Sequence, residues 1–177
     1  MDVYIGADHG GFKIKEELKP YIQELGHTPI DVGSYQLDAP DDYPDPVLTL
    51  KHKLAERAGK DFRAILICGS GIGICMAANK LKHVRAASCL EPIQAFFGRL
   101  HNDINTLCLS GLRSNASSIE KVTEGDYTNL IDAGMNVANL NEAKRIVKVF
   151  LTTETEASPG SRHRRRLEKI AALETAK

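Results

Sequence analysis

The chain has 177 residues, 42% of them hydrophobic, and its 23 lysines and arginines are balanced by 23 aspartates and glutamates. That balance excludes an overall basic field for gathering nucleic acid or an anionic membrane, so anion binding has to come from local clusters. No apolar run approaches the roughly 20 residues of a membrane span and no early stretch resembles a secretion signal, so the expectation is a soluble cytoplasmic protein.

Apolar runs of strand length occur at Val3–Ala7, Thr28–Val32, Ala64–Cys68, Arg85–Cys89 and Thr106–Leu109. They lack alternation, which implies strands covered on both faces, as in a parallel sheet. Between them lie segments of helical period: Ile14, Leu18, Ile22 and Leu25, then Val47, Leu50, Leu54 and Ala58, then Ile93, Phe96, Phe97 and Leu100. Alternation of the two patterns predicts a doubly wound α/β fold. Gly26 and Gly59 fall where helix C-terminal glycines belong and Pro92 where a first-turn proline belongs. Pro20 is the exception, because it removes a hydrogen bond inside the first helix and predicts a kink.

Gly33 to Pro46 reads as a long surface loop rich in aspartate and proline, and loops of that length are often functional. Ser114 to Ala138 reads as an insertion. A last core helix follows, with Asn139 and Glu142 at capping-box spacing and Ile146, Val147 and Phe150 on one face. Ser158-Pro159-Gly160-Ser161 then breaks the chain before a terminal helix that starts near Arg162 and carries Leu167, Ile170 and Ala171. Residues 1–157 form one expected domain, and 158–177 a tail helix placed to dock on a partner subunit.

Ligands of open α/β sheets collect beyond the carboxyl ends of the strands. Reading past each strand gives Asp8-His9-Gly10-Gly11, the acidic loop after Gly33, Cys68-Gly69-Ser70-Gly71-Ile72-Gly73, Glu91, and Ser110-Gly111-Leu112-Arg113. The glycine loop lacks the lysine of a nucleotide P-loop and does not match the dinucleotide spacing, and a tight strand-to-helix turn accounts for its glycines equally well. A thiol at its head shifts the balance, because a helix start favours the thiolate, which can act as nucleophile or base. Cys75, Cys89 and Cys108 read as small core hydrophobes, and the four cysteines show no paired metal-ligand spacing. His101-Asn102-Asp103 reads either as a helix C-terminal cap or as part of a site. Arg162 and Arg166, at i and i+4, present two guanidiniums on one helix face, which suits either solvent or a phosphate dianion.

Gly6-Ala7-Asp8-His9-Gly10-Gly11-Phe12, Asp42-Tyr43-Pro44, Ile67-Cys68-Gly69-Ser70-Gly71-Ile72-Gly73, Ala77-Ala78-Asn79-Lys80, His101-Asn102-Asp103 and Gly160-Ser161-Arg162-His163 together resemble the ribose-5-phosphate isomerase B family, which also holds the galactose-6-phosphate isomerase subunits. The match runs in order over nearly the whole chain. The resemblance implies a Rossmann-like three-layer α/β sandwich with a five-stranded parallel sheet, and a homodimer, with a tetramer left open, whose sites lie between subunits. It also implies interconversion of ribose 5-phosphate and ribulose 5-phosphate, a step of the pentose phosphate pathway, without metal or cofactor.

Carried over by motif, Cys68 is the base that moves a proton between C1 and C2. Ser70 and the loop amides of Gly69, Gly71, Ile72 and Gly73 hold the enediolate, His101 opens the furanose ring, and Asn102 holds substrate. Asp8 and Tyr43 meet sugar hydroxyls or the ring oxygen, and His9, Arg113, Arg162 and Arg166 bind phosphate. Two departures from the family pattern stand out: one extra residue between His101 and Arg113, and the length of 114–138. The alternatives are the same reaction on galactose 6-phosphate or allose 6-phosphate, and a non-catalytic phosphosugar sensor on the same fold. Retention of Cys68 and His101-Asn102 favours the pentose, since some galactose-type subunits of the family lack those residues.

Overall fold

A computed structural model describes residues 1–37, 41–57, 61–111 and 137–175. Arg113, Ala58, Gly59 and nearly all of the expected insertion lie outside the described residues. The chain runs β1 (Asp2–Ala7), α1 (Phe12–Glu24), β2 (Thr28–Asp31), α2 (Asp45–Ala55), β3 (Arg63–Cys68), α3 (Ile72–Ala78), β4 (Ala86–Ser88), α4 (Pro92–Asn102), β5 (Thr106–Ser110), α5 (Val137–Thr152) and α6 (Arg162–Thr175). All five strands are parallel, in the order β2-β1-β3-β5-β4.

Every residue of β3 is buried, as its unbroken apolar run requires of a central strand covered on both sides. On one face Val3, Ile5, Ile65, Ile67, Leu107 and Leu109 meet Ile14, Leu18 and Ile22 of α1, Ala95 of α4, and Ile146, Val147 and Phe150 of α5. On the other, Tyr4, Ala64, Leu66, Cys68 and Cys108 meet Val47 and Leu50 of α2 and Ile74 and Ala78 of α3. The edge strands β2 and β4 are short and only half-buried.

Pro20 sits inside α1, which holds together because Leu18 and Ile22 pack on the sheet. Two local expectations change. Asn139 lies inside α5 rather than capping it, and Glu142 pairs with Arg145 (2.9 Å) instead of reaching back to the helix start. The apolar stripe of α4 faces outward: Ile93, Phe96 and Phe97 are exposed, while Ala95, Gly98 and Arg99 turn to the core. A helix buries its smaller face when a neighbouring helix must approach closely, and α5 packs there.

Chain direction reverses between β1, which leads out to β2, and β3, which leads the other way to β4. The carboxyl ends of β1 and β3 therefore border the crevice at the topological switch point. No helix among the described residues is long and apolar enough to cross a membrane.

Candidate active site

Three strand ends close on one another at this crevice through backbone contacts. The Asp8 amide donates to the Ile67 carbonyl (3.2 Å), the Gly111 amide to the Cys68 carbonyl (2.8 Å), and the Ser110 hydroxyl to the Gly69 carbonyl (2.8 Å). Gly111 is required here because a Cβ would collide with the Gly10 carbonyl. Gly71 adopts φ +74°, and a side chain there would come within 2.9 Å of the Leu109 backbone.

Cys68 ends β3 and is 3% exposed. Its Sγ accepts a hydrogen bond from the Gly71 amide at 3.2 Å, and the Ser70 Oγ accepts one from the Ile72 amide at 3.2 Å. Two of the amides expected for an anion are thus directed at the thiol and the hydroxyl themselves, which orients both side chains over the loop. Tyr43 covers the loop from the far side: a Cβ on Gly73 would stand 3.0 Å from its ring.

Asp8 is 6% exposed and accepts from the Gly11 amide at 3.1 Å. Burial holds its pKa above the ordinary carboxylate value, against the pull of neighbouring His9 and of the Gly11 and Gly10 amides. His9 Nδ1 lies 2.6 Å from Asp41 Oδ1, and the His9 amide donates to the same oxygen (2.9 Å). That hydrogen bond raises the imidazole pKa above 6.5 in spite of partial burial. Burial pushes the Asp41 carboxyl up, and the bonds from His9 together with one from Ser34 more than reverse it. Asp41 was visible in the sequence only as one of several loop aspartates; its spacing from His9 carries no signal.

The remaining residues fall elsewhere. Thr106 at the start of β5 pairs with Ala64, and Ser110 at its end with Cys68. These levels are about 13 Å apart along the strand. His101 and Asn102 end α4 just before Thr106, so they occupy the amino edge of the sheet, the end away from Cys68. Asp103 caps α4 in a left-handed conformation (φ +45°), pairing with Arg85 (2.7 Å) and Arg99 (2.8 Å). The strap after α5 returns to this edge: the Glu156 amide donates to the Leu100 carbonyl (2.8 Å) and Arg99 donates to the Thr153 carbonyl (3.3 Å).

Arg162 and Arg166 are exposed there. His163, given no role in the sequence, is buried and stacked on His101, with centroids 4.3 Å apart and planes 8° from parallel. Its i, i+4 spacing to Leu167 is the signal that could have placed it on the inward side of the helix. His101, Glu156 and His163 have ligand atoms within 4.8 Å of one another. Their imidazoles lie face to face, and Arg162 already donates to one of the ring nitrogens, an arrangement unlike a cation cage.

An apolar cleft of about 1020 Å³ lies among α4, α6 and the stretch from Asn79 to Cys89, lined by Val84, Ile93, Phe97, Leu167, Ile170 and Leu173 among others, away from the glycine loop. Leu167 is buried in it, while Ile170 and Leu173 stay exposed.

The fold and the rim define a doubly wound α/β protein that gathers a buried thiol, a hydroxyl, a carboxyl and a carboxylate-backed imidazole near its switch point. Residues 3–170 match the family described as Ribose/Galactose Isomerase, and the chain belongs to that family. It is 34% identical to ribose-5-phosphate isomerase B of Escherichia coli over 97% of this chain and 95% of that one. It is 32% identical to the probable ribose-5-phosphate isomerase B of Mycoplasma genitalium over 98% and 96%. The crystal structure of the Mycoplasma genitalium enzyme with bound ribulose 5-phosphate superposes with a TM-score of 0.77, covering 99% of this chain and 97% of that one. The Trypanosoma brucei type B isomerase, 36% identical, gives 0.73 over 97% of both chains.

Proposed function

We propose that this protein interconverts ribose 5-phosphate and ribulose 5-phosphate through an enediolate, in a site shared between two copies of the chain. The observation that carries this reading is Cys68, buried at the switch-point crevice with its sulfur held over the glycine loop and Asp8, His9 and Tyr43 around it. Relatives of near-equal length that bear the isomerase name support the substrate assignment.

In this reading Cys68 takes the proton from C2 of the open-chain aldose and returns it to C1, while charge builds on the oxygens of C1 and C2. Ser70, whose Oγ accepts from Ile72 and keeps its own proton to donate, and the amides of Gly69 and Gly73 receive that charge, as donors do in an oxyanion hole, while the Gly71 and Ile72 amides orient the thiol and the hydroxyl. Proton abstraction beside a carbonyl needs such a base and such donors together. Tyr43 and Asp8 meet the sugar hydroxyls. His9, whose imidazole pKa the hydrogen bond to Asp41 raises, meets the phosphate with Arg162, Arg166 and Arg113. His101 transfers the proton that opens the furanose ring, and Asn102 holds the chain of the sugar.

Topology supports sharing: His101, Asn102, Arg162 and Arg166 stand at the edge of the sheet away from Cys68, so in this reading one chain does not bring the full set together. A two-fold partner whose amino-edge cluster meets the rim completes two sites at once. The outward stripe Ile93, Phe96 and Phe97 on α4, with Ile170 and Leu173 on α6, supplies an apolar face for that contact. Four free cysteines suit the reducing cytoplasm, where we place the enzyme.

The test is complementation. Cys68→Ala and His101→Asn proteins, each nearly inactive on ribose 5-phosphate, are unfolded together and refolded as a mixture. Random pairing restores about one quarter of the parent activity if the two residues meet across an interface, and none if each chain carries its own site. Supplying ribose 5-phosphate, galactose 6-phosphate and allose 6-phosphate at equal concentration then fixes the substrate; a higher specificity constant for a hexose phosphate overturns the pentose assignment.

A further inference from the structure

The stack of His101 on His163 has a directional hydrogen bond behind it. His163 is 5% exposed, and its Nε2 lies 3.1 Å from Arg162 Nε. A guanidinium only donates, so Nε2 is the acceptor and the neutral ring carries its proton on Nδ1. Burial first, then the positive charges of His101, Arg162 and Arg166, hold the His163 pKa below the usual imidazole value, while Glu156 pulls weakly the other way. His163 is therefore a neutral aromatic face beneath the ring that has to gain and lose a proton. Such a face stabilises an imidazolium by cation–π attraction and limits the tilt of either form. Phe97 borders the same ring, with centroids 5.1 Å apart and planes at 34°. Nε of Arg162 is committed inward, which leaves its two Nη groups for an anion.

We propose that His163 is the positioning residue of the ring-opening step: it fixes the His101 ring by stacking and links its orientation, through Arg162, to the phosphate of the bound sugar. This rests on the roles given to His101 and Arg162 above. A phosphate that fixes the Arg162 fork also fixes the hydrogen bond that orients His163, and with it the plane of His101. Binding energy from the unreacting end of the substrate is thereby used at the ring oxygen.

The experiment separates ring opening from enolisation. Ribulose 5-phosphate is acyclic, because its C5 oxygen carries the phosphate, so exchange of its C1 proton with D2O, followed by NMR, reads the base and the phosphate site without ring chemistry. Turnover of ribose 5-phosphate reads both stages. In the full-length protein His163→Leu is expected to lower ribose 5-phosphate turnover about ten- to a hundredfold and to leave exchange within about twofold of the parent. His163→Phe keeps a ring in the stack and recovers part of the lost turnover. Equal losses in both reactions, no loss in either, or a Phe variant no better than Leu overturns the proposal. His101→Asn is the control on the underlying reading. If it too loses exchange and turnover equally, the ring-opening role of His101 falls; if it is selective and His163→Leu is not, only the role of His163 falls.

Discussion

The carboxyl rim at Cys68 and the amino edge at His101 are built in different ways. At the rim, backbone does the positioning: Gly10, Gly71 and Gly111 let three strand ends touch, and the thiol and hydroxyl are aimed by amides two or three residues away. At the amino edge, side chains do it: His101 rests on His163, His163 on Arg162, and Asp103 ties the end of α4 to Arg85 and Arg99. A proton-transfer centre gains from rigid backbone, because its geometry must be held within a fraction of an ångström. In the proposed dimer, side chains that reach toward a second chain need contacts that tolerate adjustment at the interface.

Substitutions at the two places separate these roles. The largest expected effect is that of Cys68→Ala, which removes the proposed base and should lower kcat/KM on ribose 5-phosphate by roughly two to four orders of magnitude, with deuterium exchange into ribulose 5-phosphate lowered alongside it. Retention of either rate within a few fold ends the assignment of Cys68. Ser70→Ala withdraws one donor from the developing oxyanion and should cost about a hundredfold in kcat. Its KM should move little; a change confined to KM would make Ser70 a ground-state contact only.

Gly111→Ala forces a Cβ against the Gly10 carbonyl and should destabilise the fold by about 1–3 kcal/mol, read from denaturant midpoints at unchanged slope. An unaltered midpoint would show that the rim yields where its backbone contacts indicate rigidity.

The smallest effect expected is at His9. A raised imidazole pKa contributes stability that is fully present below 6.5 and is lost as pH rises through the folded value. The lowered Asp41 carboxyl contributes fully above 3.8 and loses that contribution as pH falls through its folded value. The pair is therefore at full strength between those two reference values. Asp41→Asn should cost about 1 kcal/mol or less in that window, move the His9 titration seen by NMR to lower pH, and bring the rise of KM with pH to lower pH with it. An unmoved His9 titration would show that Asp41 does not set its charge.

Much of the fold was legible because burial on both faces leaves an unbroken apolar run: all five strands lie where those runs stand, differing by a residue or two at their ends. The α4 stripe shows the limit of that reasoning. Ile93, Phe96 and Phe97 have helical period, but period gives the existence of an apolar face and not what covers it, and here α5 packs on the opposite face. The site divided in the same way. The Cys68 loop could be read locally, since thiol, hydroxyl and amides are neighbours in the chain. The His9–Asp41 bond spans 32 residues and the His101–His163 stack joins two helices, so neither has a spacing that marks it.

By itself, then, the sequence determined the strand and helix pattern, the strand-end thiol over a glycine turn, and the family that its ordered motifs resemble, because each is written within a short stretch of chain. Only the tertiary structure decided which residues share an end of the sheet. Strand direction and register put Asp8, His9, Tyr43 and Cys68 at the switch-point crevice and left His101, Asn102, Arg162 and Arg166 at the far edge. That separation is a property of parallel topology: a helix that leaves one strand's carboxyl end must return to the amino end of the next.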